Sequence, residues 1–173
     1  TYGCNRLETL PGALLEENAL KAECSGYLQY FDAKKLSSLA EEHETDVYVA
    51  SMPGKYVTKG MPLAMLTREL APEIHTSFRE CFTISEQRTF EQDPRFGLCV
   101  LAEVASRAMS PAVNDQGPAI DIVVRAGRGL EVYAVERKDE ATEFKRLGVP
   151  ELCIDDLFQA GFNPLGRDAA SAY

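Results

Sequence analysis

The stretch "SPAVNDQGPA", from Ser110 to Ala119, separates two segments whose apolar residues have the spacing of helices. It holds two prolines, a glycine and an adjacent Asn-Asp pair, which are residue types that end helices and form turns. Upstream, Asp93 and Pro94 suit a helix cap followed by the first helical position. Downstream, Asp115 is expected to cap a second helix with its own carboxylate. The sequence therefore predicts two helices that meet at a polar corner.

The first half of the chain combines strand patterns with helix patterns. "ECSGYLQYF" (23–31) is rich in aromatic residues and predicts a strand, after which Asp32 is expected to cap a helix. In that helix Leu36, Leu39 and Ala40 form one apolar stripe. Residues 46–66 read as short strands separated by turns at Pro53-Gly54 and Gly60. Residues 71–82 predict a helix with Pro72 in its first turn and Ile74, Phe78 and Phe82 along one face.

The remaining segments carry weaker signals. Residues 6–21 read as a linker or short helix, and the polar residues 83–94 as a connection. Gly127 and Gly129 are expected to weaken or end the second corner helix, and residues 130–135 are compatible with either helix or strand. Residues 138–147 form a charged segment. A final helix is predicted from Asp155 or Asp156 to about Ala160, followed by a tail that frays.

Composition and charge exclude several classes of function. The chain has 173 residues, of which 45% are hydrophobic and 26% charged, as in a globular protein with a core. Its net charge of -9 disfavours binding to nucleic acids and to anionic membrane surfaces. The five cysteines are odd in number and contain no CxxC pair, which favours a reducing compartment over a disulfide framework. No apolar run is long enough for a membrane helix, and the start at Thr1 suggests a part of a longer protein.

The familiar catalytic and cofactor motifs are missing from the sequence. A zinc site would need His43 and His75, the two histidines, to lie close together with further ligands, and their spacing does not suggest this. His75 and Cys81 are six residues apart and do not share a helix face, so a Cys-His nucleophile is not indicated. No serine lies in a nucleophile elbow, and no glycine-rich loop could cradle a phosphate. We therefore expect no cofactor and no metal, and favour a protein that is not an enzyme.

One hairpin resembles a carrier domain. The pattern G-x-x-V-x-x-G-x-P-L, from Gly54 to Leu63, is similar to the hairpin of biotinyl and lipoyl domains. In those domains a modified lysine follows shortly downstream, where this chain has "TREL" with Leu70 in the lysine position. The resemblance therefore implies a small barrel-like β unit without the carrier function.

A longer motif carries a second resemblance. Arg88 to Ala119 reads "RTFEQDPRFGLCVLAEVASRAMSPAVNDQGPA", which resembles R-x-x-x-Q-D-P-x-F-G-L-R, a helix, and A-L-S-P-x-x-N-D-P-x-T-A. This is the pattern of a bacterial family of predicted membrane proteins called domain of unknown function 2254. Cys99 replaces an expected arginine, Met109 an expected leucine, and Gln116 and Pro118 disturb the Pro-x-Thr order. The resemblance extends from about Ser25 to Ala119 and implies that this chain is the C-terminal part of a protein with preceding membrane helices.

Five polar residues of this motif are candidate ligand-binding residues: Arg88, Asp93, Ser110, Asn114 and Asp115. Their carboxylate and amide oxygens could surround an ion or a polar ligand. The alternative is structural: Ser110 ends one helix, Asn114 satisfies backbone groups in the corner and Asp115 caps the next helix. We favour the structural alternative, because each residue type is one that such a corner requires.

These observations lead to one main prediction. The fold is expected to be α+β, with a linker over residues 1–20, a small β unit with one helix over 21–70 and a mainly helical unit over 71–173. The function is expected to be that of a non-catalytic regulatory or assembly domain of a multi-pass bacterial inner-membrane protein. Unpaired cysteines favour the cytoplasmic side, open sheet edges favour a homo-oligomer, and the protein's own transmembrane helices are expected partners. The alternatives are a small-molecule or cation sensor, or a hydrolase, using Asp93, Asn114 and Asp115.

Overall fold

The computed structural model describes the backbone of residues 4–7, 18–136 and 144–171, and the side chains of residues 18–135 and 144–170. The chain divides into two compact units. Unit 1 comprises Thr1–Asp93 and Ala141–Glu151, and unit 2 comprises Pro94–Glu140 and Leu152–Tyr173. The first change of unit therefore falls after Asp93.

Unit 1 contains two sheets and two helices. Its elements are β1 (Cys4–Leu7), β2 (Ala19–Lys21), β3 (Gly26–Phe31), α1 (Ala33–Glu42), β4 (Val47–Val49), β5 (Tyr56–Val57), β6 (Pro62–Leu66), α2 (Pro72–Arg79), β7 (Phe82–Ser85) and β8 (Phe144–Pro150). One sheet has the order β1-β8-β4-β6-β2, and the other has the order β5-β3-β7. β8 pairs in parallel with β1 and β4, whereas every other pairing is antiparallel.

The helices and turns of unit 1 form where local signals predict them. Asp32 accepts a hydrogen bond from the backbone N–H of Lys35 at 2.9 Å, which caps α1 as expected. Leu36 and Ala40 of the predicted stripe are buried. They join a core made of side chains from both sheets and both helices: Leu20, Leu28, Phe31, Val47, Val49, Val57, Leu63, Leu66, Phe78, Leu147 and Val149.

The expectations for unit 1 were met in part. The α+β class is confirmed. Neither sheet closes into a barrel among the described strands, and the likeness to a biotinyl or lipoyl hairpin is not confirmed. Cys4–Leu7 and Ala19–Lys21 are strands rather than parts of a linker, while residues 8–17 of that linker lie outside the described residues. Phe82 begins β7 instead of continuing the helix before it. β8 occupies part of the supposed charged segment, because its central residues are buried between two neighbouring strands.

The described part of unit 2 consists of three helices. These are α3 (Pro94–Met109), α4 (Gln116–Glu136) and α5 (Ile154–Ser171). Ala102 and Ala105 of α3, Ala119 and Ile122 of α4, and Leu165 of α5 are buried together. The small alanines allow the helices to approach closely, and Tyr133 donates a hydrogen bond from its hydroxyl to the carbonyl of Leu152 at 2.8 Å. Within the described residues, no helix is both long enough and apolar enough to cross a membrane.

Two helices of unit 2 run further than expected. α4 continues through Gly127 and Gly129, so residues 130–135, whose sequence is compatible with helix or strand, are helical. α5 extends to Ser171 and passes through Pro164, although its predicted end was near Ala160. Proline lacks the N–H that would bond the carbonyl four residues earlier. That carbonyl belongs to Ala160, and the Cys99 thiol lies 4.0 Å from it, at the limit of a hydrogen bond from sulfur. Cys99 therefore contacts the carbonyl that Pro164 leaves unbonded within the helix.

Candidate functional site

Arg88 and Asp93 of the long motif form an ion pair in unit 1. The Asp93 side chain is 3% exposed, and that of Arg88 is 25% exposed. Both Nε and one terminal nitrogen of Arg88 donate to Oδ2 of Asp93, at 2.9 and 2.5 Å. A buried carboxylate requires such a partner, because moving one charged group out of water costs on the order of several kcal/mol. We call residues Arg88 to Asp93 the clasp.

Gly54 packs its backbone against the clasp. Lys55 N–H bonds to the carbonyl of Met52 at 3.2 Å, so Pro53 and Gly54 are the central residues of a turn. Gly54 has a φ of 89°, which only glycine adopts without strain. A Cβ atom at this position would lie 2.7 Å from Oδ1 of Asp93 and closer still to Cγ and Oδ2. The Asp93 carboxylate therefore occupies the space that any larger residue would need.

Gln92 ties the clasp to the end of β3. Its side-chain oxygen accepts from Phe31 N–H at 3.1 Å, and its side-chain nitrogen donates to the Phe31 carbonyl at 3.2 Å. Gln29, also on β3, donates from its amide to the carbonyl of Gln87 at 2.7 Å. Gln92 thus bonds both backbone groups of Phe31, as a neighbouring strand would. Gln92 belongs to the motif, but its role was not predicted, because nothing local in the sequence links it to Phe31, 61 residues earlier.

The α3–α4 corner, from Ser110 to Asp115, lies in unit 2. The Ser110 hydroxyl donates to the carbonyl of Arg107 at 2.7 Å, at the end of α3. Oδ1 of Asp115 accepts from Gly117 N–H at 3.1 Å, in the first turn of α4. Asp115 N–H bonds to the carbonyl of Ala108 at 2.9 Å. The helix end at Ser110 and the cap at Asp115 are therefore confirmed, since each side chain bonds a backbone group that its helix leaves unpaired.

Asn114 serves the corner through its backbone. Its φ is 47°, in the left-handed region that asparagine tolerates better than other residues with a Cβ atom. Its N–H bonds to the carbonyl of Ser110 at 2.8 Å. In the described part of the chain its exposed side chain makes no hydrogen bond, so the expected bonding of backbone groups by this side chain is absent. The positive φ explains why an asparagine precedes Asp115, the residue that caps α4.

Substitution of Asn114 tests its backbone role. Asn114→Gly is expected to leave stability within about 0.5 kcal/mol, because glycine adopts a positive φ freely. Asn114→Ala is expected to lower the free energy of unfolding by about 1 kcal/mol, because alanine is strained there. Urea denaturation of the two variants measures this. Equal stabilities of the Gly and Ala variants would contradict the backbone role.

The five candidate residues fall into two groups. Arg88 and Asp93 contact each other in unit 1, and Ser110, Asn114 and Asp115 share the corner in unit 2. The contact between Gly54 and Asp93 was not predicted. The Pro-Gly turn was evident, but only the folded chain shows which side chain lies against it.

The remaining titratable candidates lie within unit 1. Burial raises the pKa of the Cys81 thiol to about 11, so the thiol is protonated at neutral pH and is a poor nucleophile. Burial is also the main cause that lowers the pKa of His75, with Arg79 adding to it. His43 lies against the ring of Phe78, with ring centres 6.2 Å apart. Among the described residues, no three His, Cys, Asp or Glu side chains are grouped as metal ligands.

Thiol labelling tests the state of Cys81. At pH 8, iodoacetamide is expected to modify the exposed Cys24 and Cys153 at least about tenfold faster than Cys81, because only the thiolate reacts. Peptide mass spectrometry over time measures each rate. Since the folded pKa lies above the unfolded value of 9.0, Cys81 should also contribute stability that is lost as the pH rises between 9.0 and about 11. Rapid labelling of Cys81 in the native protein would contradict its burial.

Comparison with known proteins gives three matches among uncharacterized mycobacterial proteins. The chain is 36% identical over 124 residues to Rv1290c of Mycobacterium tuberculosis and to Mb1321c of Mycobacterium bovis. The matched region covers 68% of this chain and 24% of each relative, so the chain spans about a quarter of the length of the proteins it matches. No solved structure matches.

The family comparison covers nearly the whole chain. Residues 7–173 match the model of a family described as "Predicted membrane protein (DUF2254)". The matched range includes the clasp, the corner and all of unit 2. The chain therefore belongs to the domain of unknown function 2254 family of predicted membrane proteins.

Proposed function

We propose that this chain is a non-catalytic regulatory or assembly domain of a multi-pass bacterial inner-membrane protein, placed on the cytoplasmic side. In this role it would associate with further copies of itself and couple the membrane helices to one another. The relatives are about four times longer than the matched region, which leaves room for membrane-spanning segments elsewhere in the protein.

The observation that carries the proposal is that Arg88 and Asp93 bond to each other. They are oppositely charged residues of the motif, and they bond to each other at 2.5 Å with Asp93 buried. A general acid, base or ligand-binding carboxylate must reach a substrate, and this one is enclosed by Arg88 and the Gly54 backbone. Ser110 and Asp115 likewise bond backbone groups at helix ends. The motif thus supports a role in holding the fold.

Sedimentation velocity of the 173-residue chain tests the proposal. A weight-average sedimentation coefficient that rises with protein concentration is expected, because association follows mass action. A chain that stays monomeric up to its solubility limit would contradict self-association.

A thermal-shift screen tests the alternative of a sensor at the corner. Chloride salts of Mg²⁺, Ca²⁺, Mn²⁺ and Zn²⁺ and a panel of small metabolites would be added to the chain and to its Asp115→Asn variant. We expect no rise in melting temperature that depends on Asp115. A ligand that raises the melting temperature of the native chain and not that of the variant would favour the sensor, because binding to the folded state stabilises it.

A further inference from the structure

Helix α4 has two apolar faces, and one of them is exposed. Ala119, Ile122 and Ala126 point into unit 2 and are buried. The rest of its surface carries large apolar side chains that are 41–64% exposed: Ile120, Val123, Val124, Val132 and Val135. A helix that covers one side of a core needs only one apolar face. Five exposed β-branched residues on one helix therefore indicate a surface that is covered in the assembled protein.

At 100° per residue, Ile120, Val124, Gly127, Glu131 and Val135 follow one line along α4. We call this line the α4 stripe. Gly127 lies at its centre, where a Cβ atom would meet nothing within 4 Å in this chain. Glycine inside a helix costs about 1 kcal/mol relative to alanine, so its presence is not explained by packing within the chain. Close approach of a second helix at this point would explain it.

Two opposite charges on α4 identify the occupant. In the described part of the chain, Arg128 and Glu131 form no ion pair or hydrogen bond, whereas Arg125 and Asp121 on the same helix are bonded to each other. Glu131 lies within an apolar line, where covering it without a cation would be costly. Arg128 lies on the flank of the same line. A second α4 would place an opposite charge near each of them when the stripe is covered.

We propose that α4 is the surface by which two copies of this chain associate, in an antiparallel pair centred between Gly127 and Arg128. In that register Ile120 of one copy faces Val135 of the other. Arg128 lies one helical turn from Glu131 of the other copy, within reach of its long side chain, and the pair occurs twice by symmetry. This inference rests on the proposed self-association and specifies where it occurs.

The size of α4 predicts a weak interaction. Its 21 residues are about 31 Å long, and a face about 10 Å wide gives roughly 300 Å² per copy. Stable interfaces bury about 800 Å² per partner, so the isolated chain is expected to dimerise only at high concentration. Attachment to one membrane protein assembly would raise the effective concentration of the second copy.

The first test replaces one apolar residue of the stripe. Val124→Glu is expected to weaken dimerisation at least about tenfold, measured by sedimentation velocity, because it places a charge in the paired face. Val104→Glu on α3 is the matched control, since Val104 is 47% exposed and Val124 is 49% exposed. Circular-dichroism melts verify that both variants fold. Dimerisation that is unaffected by Val124→Glu, or equally weakened by both variants, would overturn the assignment to α4.

A charge exchange tests the register without touching the apolar residues. Arg128→Glu and Glu131→Arg should each weaken dimerisation, because like charges then face each other across the pair. The double variant should restore it to within about threefold of the native value, since the opposite charges are exchanged. If none of the three variants changes dimerisation, the α4 pairing is overturned and self-association still stands. If the native chain never dimerises, both are overturned.

Binding to lipid vesicles tests whether a membrane surface, rather than a second copy of the chain, covers the α4 stripe. The chain would be sedimented with vesicles of phosphatidylcholine and phosphatidylglycerol, and no co-sedimentation is expected because the chain carries a net charge of -9. Co-sedimentation that Val124→Glu abolishes would assign the stripe to the membrane surface and overturn the dimer.

Discussion

Gly54→Ala is expected to lower the free energy of unfolding by about 3 to 5 kcal/mol, the cost of disrupting a buried ion pair. The first cause is backbone strain, since the φ of 89° costs a residue with a Cβ atom roughly 1–2 kcal/mol. The second cause is the overlap between that Cβ atom and the Asp93 carboxylate. The carboxylate would have to move, and its bonds to Arg88 would weaken. Urea denaturation followed by circular dichroism measures the change.

Gly60→Ala is the matched control for this prediction. Gly60 has the same φ of 89°, but a Cβ atom at this position meets nothing within 4 Å. Gly60→Ala should therefore cost only the backbone strain, roughly 1–2 kcal/mol. The difference between the two variants isolates the contact with Asp93. Equal losses at both positions would show that the carboxylate does not confine Gly54.

Arg88→Met is the second large effect, with an expected loss of about 3 to 5 kcal/mol in the free energy of unfolding. Methionine retains much of the apolar stem but removes the charge that faces the buried carboxylate of Asp93. Asp93 would then be left without the two bonds from the guanidinium. Urea denaturation of the variant measures the loss.

A double-mutant cycle separates the ion pair from its surroundings. Arg88→Met with Asp93→Asn should be less destabilised than the sum of the two single variants, because the double variant buries no unpaired charge. Arg107→Met on α3 is the control, since its pair with Glu103 is exposed and should contribute less than about 1 kcal/mol. A purely additive cycle would contradict a direct interaction between Arg88 and Asp93.

The sequence by itself determined the features that depend on neighbouring residues. Asp32 and Asp115 cap their helices because a carboxylate reaches the unpaired N–H groups of its own first turn. Pro94 begins α3 because its fixed φ suits a first helical position. The turn at Pro53-Gly54 follows from the same local preferences. These elements were predictable since the interacting atoms lie within a few residues.

Only the tertiary structure decided the features that join distant residues. β8 pairs in parallel with β4, about a hundred residues earlier, and nothing local in "FKRLGVP" requires this. α4 passes through Gly127 and Gly129 because the burial of Ala119, Ile122 and Ala126 outweighs the low helix propensity of glycine. The partner of Asp93 and its contact with Gly54 also depend on the fold. Long-range burial, which no short window of sequence contains, is the physical reason for each.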